Sequence, residues 1–195
     1  AEYARKYGLD SKTGIDLPSE KKGLVHDDSW KRENLNTGWY PGDSVNLSIG
    51  QGSLLTTPVQ IVTLISALAA DGLAYKPQVV SKIRNTDGEI VQEFKPEINI
   101  DLRDEIDSSV FAALKEGMHD VVNKQYGTAS RHFSDFQLTV AGKTGTAQTG
   151  GANHAWFGGF APYEAPQIAV VVFIENGGSS AYSVPIAREI MEYYF

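Results

Sequence analysis

The sequence predicts an α+β domain in which helices flank a small antiparallel sheet, and three observations carry that expectation. The last third holds three strand candidates, residues 138–144, 155–161 and 167–175, joined by turn-rich linkers short enough to favour antiparallel neighbours. Helical patterns stand at 58–70, 108–122 and 184–194. The 195 residues are 42% hydrophobic and 21% charged, a composition that supports a packed core and argues against disorder.

The first eight residues, AEYARKYG, read as the last turns of a helix closed by Gly8, and a chain that opens inside a helix suggests a piece of something longer. From 9 to 52 the text is rich in Gly, Pro, Asp, Asn and Ser, with turn dipeptides such as Pro41-Gly42. It predicts a long loop, of the kind that in compact domains tends to be functional. Trp39 and Tyr40 read as packing anchors within it. Thr57 and Pro58 then supply a cap and a first-turn proline for a helix, and the apolar run VQIVTLISALAA predicts that it is buried.

Alternation on both sides of Thr86-Asp87-Gly88 predicts a hairpin within 78–94. The spacing of Val110, Phe111, Leu114, Met118 and Val121 or Val122 predicts an amphipathic helix over 108–122, followed by a Gly-Thr-Ala-Ser loop. Trp156 and Phe157 should straddle the two faces of their strand. The run IAVVVFI is apolar on both faces and predicts a central strand covered on both sides. A terminal helix should begin after Ser183 with Pro185 in its first turn, and Gly177 to Ser180 should form a turn before it. No fixed-period repeat or internal domain boundary is visible.

Composition narrows the function classes. Seventeen basic against 24 acidic side chains give a net charge of -7, which disfavours a general nucleic-acid binder. The chain has no cysteine, so thiolate metal sites, disulfides and cysteine nucleophiles are excluded. His26, His119, His132 and His154 lack paired ligand spacing, and neither a metal nor another cofactor is expected. The longest apolar run, near Ile61 to Ala70, falls far short of the roughly 20 residues of a spanning helix.

The stretch VAGKTGTAQ, residues 140–148, carries the chemistry. Lys143 offers a fixed positive charge that could relay a proton or hold an anionic group. Thr144 and Thr146 offer hydroxyl donors for a carboxylate, and Gly145 lets a substrate backbone lie against the strand edge. Period-2 alternation sends Lys143 and Gly145 to one face and Thr144 and Thr146 to the other, so only a twisted edge strand could make them converge. A lone Lys-Thr-Gly triplet is weak, since Lys12-Thr13-Gly14 is a second copy. Penicillin-recognising serine enzymes also carry a serine-x-x-lysine and a serine-x-asparagine motif. Literal matches at Ser19 to Lys22 and Ser44 to Asn46 are rejected: Ser19 sits in a polar turn, and Ser44 in a Gly-rich loop leading to the 58–70 helix.

Four stretches together resemble a known family: GIDLPSEKKGLV at 14–25, WYPGDSVNLSIGQGSLLTTPVQ at 39–60, AGKTGTAQ at 141–148, and HAWFGGFAP with IAVVVFIENGG at 154–178. They look like the class B penicillin-binding proteins, and within them the elongation-type penicillin-binding protein 2 branch. The resemblance implies a serine β-lactamase-like D,D-transpeptidase fold, of which residues 1–195 would be the C-terminal part, with three antiparallel strands and flanking helices. It further implies a serine that attacks peptidoglycan stem peptides, forms an acyl-enzyme, and is acylated by β-lactams. By that match Lys143 tunes electrostatics, Thr144 holds the substrate carboxylate, Gly145 lies in the substrate-binding edge, and the Thr146 N–H completes an oxyanion hole. The nucleophile would lie outside this chain, together with two further strands of the sheet. An unpaired edge and an exposed apolar face should result, and an N-terminal part of the same protein would be needed for folding and turnover.

A membrane-anchored parent outside the cytoplasmic membrane, with a SEDS polymerase and an MreC-type scaffold as partners, is implied in the same way. A noncatalytic penicillin-binding sensor of the same fold and a β-lactamase are the competing readings. For His154 the plain expectation is a polar strand-start residue, with a place at the active-site rim as the alternative.

Overall fold

The computed structural model describes residues 1–195. Helix α1, Glu2–Lys6, ends as expected: Gly8 has φ +82°, the Gly8 N–H donates to the Arg5 carbonyl at 2.9 Å, and the Leu9 N–H donates to Ala4 at 3.0 Å. This six-to-one and five-to-two pairing is a Schellman cap, and only the left-handed residue at its centre calls for glycine.

The predicted long loop is not one. It contains α2, Asp28–Leu35, and α3, Pro41–Ser48. The Asp27 carboxylate accepts from the Trp30 N–H at 2.9 Å to start α2. Pro41 occupies the first turn of α3, while the Asp43 carboxylate reaches back to the Tyr40 N–H at 2.8 Å. Pro-Gly-Asp-Ser is thus a helix start, whose residue types overlap with those of a turn. With eight residues, α3 is too short to show periodicity. Ser44 and Asn46 lie inside this helix, which corrects their assignment to a loop. Trp39 packs as expected, tilted on His26 at 5.4 Å between centroids, with its indole N–H donating to the Ser44 hydroxyl at 2.8 Å.

Helix α4, Pro58–Ala69, starts on a reciprocal cap. The Gln60 N–H donates to the Thr57 hydroxyl at 3.2 Å, and the Thr57 N–H to the Gln60 carbonyl oxygen Oε1 at 2.9 Å. Two short antiparallel pairs follow. Strand β1, Leu73–Tyr75, pairs with β4, Ile98–Asp101, which no sequence pattern announced; between them β2, Lys82–Arg84, and β3, Ile90–Glu93, form the expected hairpin around Gly88 at φ +85°. Helix α5, Ser108–Asn123, buries Phe111, Met118 and Val122. Val110 and Leu114, expected on the buried face, are instead 45% and 44% exposed, because the stripe that meets the core is narrower than the apolar pattern. A four-residue helix α6, Ser130–Phe133, starts on the last residue of the expected Gly-Thr-Ala-Ser loop.

The main sheet comprises β5, Ala141–Ala147, β6, His154–Ala161, and β7, Ile168–Ile174, all antiparallel, in the order β5-β6-β7. Two expectations are corrected. β5 begins three residues later than predicted, so Lys143-Thr144-Gly145 occupies the middle of the strand, not its end. β7 is covered on both faces but lies at an edge of this sheet, and β6 is the centre. Apolarity on both faces reports covering layers, not lateral neighbours, so periodicity alone could not separate the two.

The layers explain the pattern. One face packs Ala141 and Phe160 against Ile65 and Leu68 of α4 and Phe111 and Met118 of α5. The other packs Phe157, Val170 and Val172 against Phe133 and against Val184, Ala187 and Met191 of α7, Ser183–Tyr194. Phe157 and Phe160 are both fully buried, each on its own face, and burying a side chain of this size contributes about 1.5–3 kcal/mol. Gly142 is glycine because a Cβ there would stand 2.4 Å from Phe157 Cζ.

Candidate active site on the free edge of β5

Strand β5 has one neighbour in its sheet, so its other side is a free edge. In an antiparallel edge strand alternate residues turn both N–H and C=O outward. The groups bonded by side chains identify that set: the Val140 carbonyl accepts from Asn123 Nδ2 at 2.8 Å, the Thr144 carbonyl from Lys143 Nζ at 2.7 Å, and the Thr146 carbonyl from Gln51 Nε2 at 3.1 Å. The Gln148 N–H donates to Gln51 Oε1 at 3.3 Å. Even-numbered residues therefore face the free side, and the backbone of Thr144 and Thr146 lies along it.

Side chains alternate as expected. Lys143 and Gly145 stand opposite Gly158 and Trp156 on one face, and Thr144 and Thr146 opposite Phe157 and Ala155 on the other. Convergence occurs at the edge and not on a face: Lys143, exposed, folds back so that its ammonium meets the outward Thr144 carbonyl. Gly145 leaves the Trp156 side chain room, since a Cβ there would lie 3.2 Å from Trp156 Cβ. Thr146 is exposed, whereas Thr144 is only 8% exposed and shares a 2.7 Å hydroxyl contact with Thr128. Either hydroxyl can donate in that pair; when Thr128 donates, the Thr144 proton is left for a ligand.

Thr128, Gln51 and Asn123 were not singled out from sequence. The Gly-Thr-Ala-Ser loop that carries Thr128 is drawn in tightly, since a Cβ on Gly127 would lie 2.3 Å from the Val121 carbonyl oxygen. For Gln51 a signal existed, because it stands between Gly50 at φ +73° and Gly52 at φ +82°. His154 sits at the far end of the β5-β6 ladder opposite Ala147, and its Nδ1 accepts from the Asn176 N–H at 3.0 Å. The second Lys-Thr-Gly is a structural turn: Thr13 N–H and hydroxyl donate to the Glu20 carboxylate at 2.6 and 2.7 Å, and the Gly14 N–H at 3.1 Å. Burial pulls the Glu20 carboxyl upward, but these bonds outweigh it and hold it below the ordinary range. Ser19 is exposed at φ +63°.

The element that carries Gln51 is anchored by charge. Lys31 Nζ meets the Asp43 carboxylate at 2.6 Å, and this bond, reinforced by the Tyr40 N–H, holds the Asp43 carboxyl below its ordinary range.

The β5 edge thus presents an ammonium, two threonines and a glycine on a three-stranded antiparallel sheet with helices on both faces. Residues 1–192 match the Penicillin binding protein transpeptidase domain, and the chain belongs to that family. Among curated proteins, the peptidoglycan D,D-transpeptidase MrdA of Haemophilus influenzae is 31% identical over 216 residues, covering 100% of this chain and 32% of its own length. The chain therefore spans about a third of that relative. Among solved structures, Pseudomonas aeruginosa PBP2 in complex with WCK 5153 superposes with a TM-score of 0.84 at 34% identity, over 99% of this chain and 42% of that one. Helicobacter pylori PBP2, solved in complex with MreC, gives 0.81 at 33% identity, over 97% and 34%.

Proposed function

We propose that these residues form the C-terminal part of a peptidoglycan D,D-transpeptidase domain and supply its substrate-binding edge strand. The observation that carries this reading is the free edge of β5, which presents the outward N–H groups of Thr144 and Thr146 to an extended peptide beside a lysine ammonium. An acyl-D-Ala-D-Ala stem peptide would lie extended along β5, as peptides do when they add a strand to an open sheet edge. Its terminal carboxylate would accept from the Thr144 hydroxyl, which Thr128 frees by donating to it. Lys143 would raise the positive potential at the serine and at the carboxylate and so stabilise negative charge there. The outward Thr146 N–H would donate to the oxyanion that forms as the serine attacks, and Gly145 would keep the strand open to the ligand. β-Lactams would present the same carboxylate and carbonyl and acylate the same serine.

That serine, by this reading, comes from residues outside the 195, because the serines of the literal motif matches do structural work. Ser44 accepts from Trp39 inside α3, and Ser19 lies in an exposed left-handed turn. An N-terminal part of the same protein, an extracytoplasmic location, a scaffold of the MreC type and a SEDS polymerase complete the reading; the H. pylori complex supports the scaffold. No helix here is long and apolar enough to cross a membrane.

The test is mass spectrometry of the purified protein before and after incubation with a penicillin, with intact mass to detect the adduct and peptide mapping to locate it. The adduct should appear on a residue outside 1–195; an adduct on Ser19 or Ser44 would refute the assignment.

A further inference from the structure

We propose that Gln51 is a positioning residue for acyl transfer: its carboxamide closes the C-terminal end of the β5 edge and holds Thr146 in the orientation in which its N–H faces the reacting carbonyl. The inference rests on the transpeptidase reading above.

The geometry is that of a strand replaced by a side chain. Gln51 Nε2 donates to the Thr146 carbonyl at 3.1 Å while Oε1 accepts from the Gln148 N–H at 3.3 Å. A neighbouring strand would offer an edge the same C=O and N–H. Because Thr146 turns N–H and C=O to the same side, holding the carbonyl restrains the N–H beside it. The two bonds also occupy the next pair of edge groups, so a bound peptide can pair along β5 only as far as Thr146.

The arm that delivers Gln51 is built to be stiff. Gly50 and Gln51 form the last two positions of a Schellman cap on α3, with the Gly50 N–H donating to Leu47 at 3.1 Å and the Gln51 N–H to Asn46 at 2.9 Å. No atom lies within 4 Å of a Cβ built on Gly50, so its glycine is explained by its left-handed φ and not by crowding. The backbone of Gln51 is thus set by the helix end. Its side chain spans 95 residues of sequence to reach β5. The anchor of α3 is the Lys31 to Asp43 pair.

The experiment compares Gln51→Ala and Gln51→Met with the parent, in the natural polypeptide that carries these residues, using stopped-flow acylation by a fluorescent penicillin. Met keeps length and volume but removes both hydrogen bonds. The first-order acylation constant should fall by about 10- to 100-fold in both variants, since one oxyanion donor carries about 10²–10³-fold. The noncovalent dissociation constant should hold within about 3-fold and the melting temperature within about 2 °C. Parental kinetics in either variant would overturn the inference alone. So would a loss in Ala that Met restores, or a loss that tracks a drop in melting temperature, because either marks a packing role. A parent that takes up no penicillin would overturn the transpeptidase reading and this inference with it.

Discussion

The two edges of the main sheet are finished in opposite ways. Along β5, side chains from three separate places, Asn123, Lys143 and Gln51, claim the outward carbonyls of Val140, Thr144 and Thr146. Along β7 no side chain bonds the strand backbone; instead Pro58, Val59 and Val62 of α4 and Ile190 of α7 flank residues 168–171 in a shallow apolar groove. An edge that offers placed polar groups recognises a peptide by hydrogen bonds and charge. One lined by valine and isoleucine gains from being covered, which is how a further strand is held. The same sheet can thus carry a binding site on one side and packing surface on the other, because backbone pairing needs only an edge, and the flanking side chains set what pairs there.

Several perturbations would break or sharpen this contrast. The largest effect should come from the core that both edges share: Phe157→Ala removes a fully buried ring and should cost about 3–5 kcal/mol of stability in denaturant unfolding. Next, Lys143→Ala should lower penicillin acylation by about 10²–10³-fold, about 2.7–4 kcal/mol in the barrier, without moving the unfolding midpoint. A matching loss of stability would make Lys143 a structural residue and erase the difference between the edges. On the β7 side, Val62→Lys should leave acylation chemistry intact and cost about 1 kcal/mol or less if the groove stays open to solvent. A cost of about 3 kcal/mol would mean that the groove is covered in the working protein.

Acidification should act on the β5 side through α3. The folded-state pKa of Asp43 is depressed, first by the bond from Lys31 and then by the Tyr40 N–H. Its contribution is therefore fully present above the ordinary value of 3.8 and fades as pH falls through that value toward the lower folded one. Hydrogen exchange should show the Gln148 amide losing protection over that window, and Asp43→Asn should remove the dependence. The smallest effect should be that of Ser19→Ala, an exposed turn residue, with acylation within about 2-fold of the parent and stability within about 0.5 kcal/mol. A substantial loss of acylation in this variant would overturn the motif assignment.

Much of this was legible in local text. Helix starts were marked by Thr57-Pro58 and by Pro185, the hairpin by Asp87-Gly88, and the α1 stop by Gly8, because caps and turns depend on residues a few positions apart. The α3 start was misread because proline, glycine and aspartate serve turns and helix N-termini alike, and only the Asp43 to Tyr40 bond separates the two. A strand through Lys143 and the alternation of its faces also followed from sequence, although its end was placed at Thr144 and not at Ala147.

What only the tertiary structure decided was lateral order and long-range partnership. IAVVVFI reads the same at a sheet's centre as at its edge, since helices above and below make both faces apolar in either place. Thr128 meets Thr144, and Gln51 meets Thr146, across 16 and 95 residues of chain. No local propensity encodes such pairs: each exists because separately capped elements, one held by the core and one by the Lys31 to Asp43 pair, aim their ends at the same strand edge.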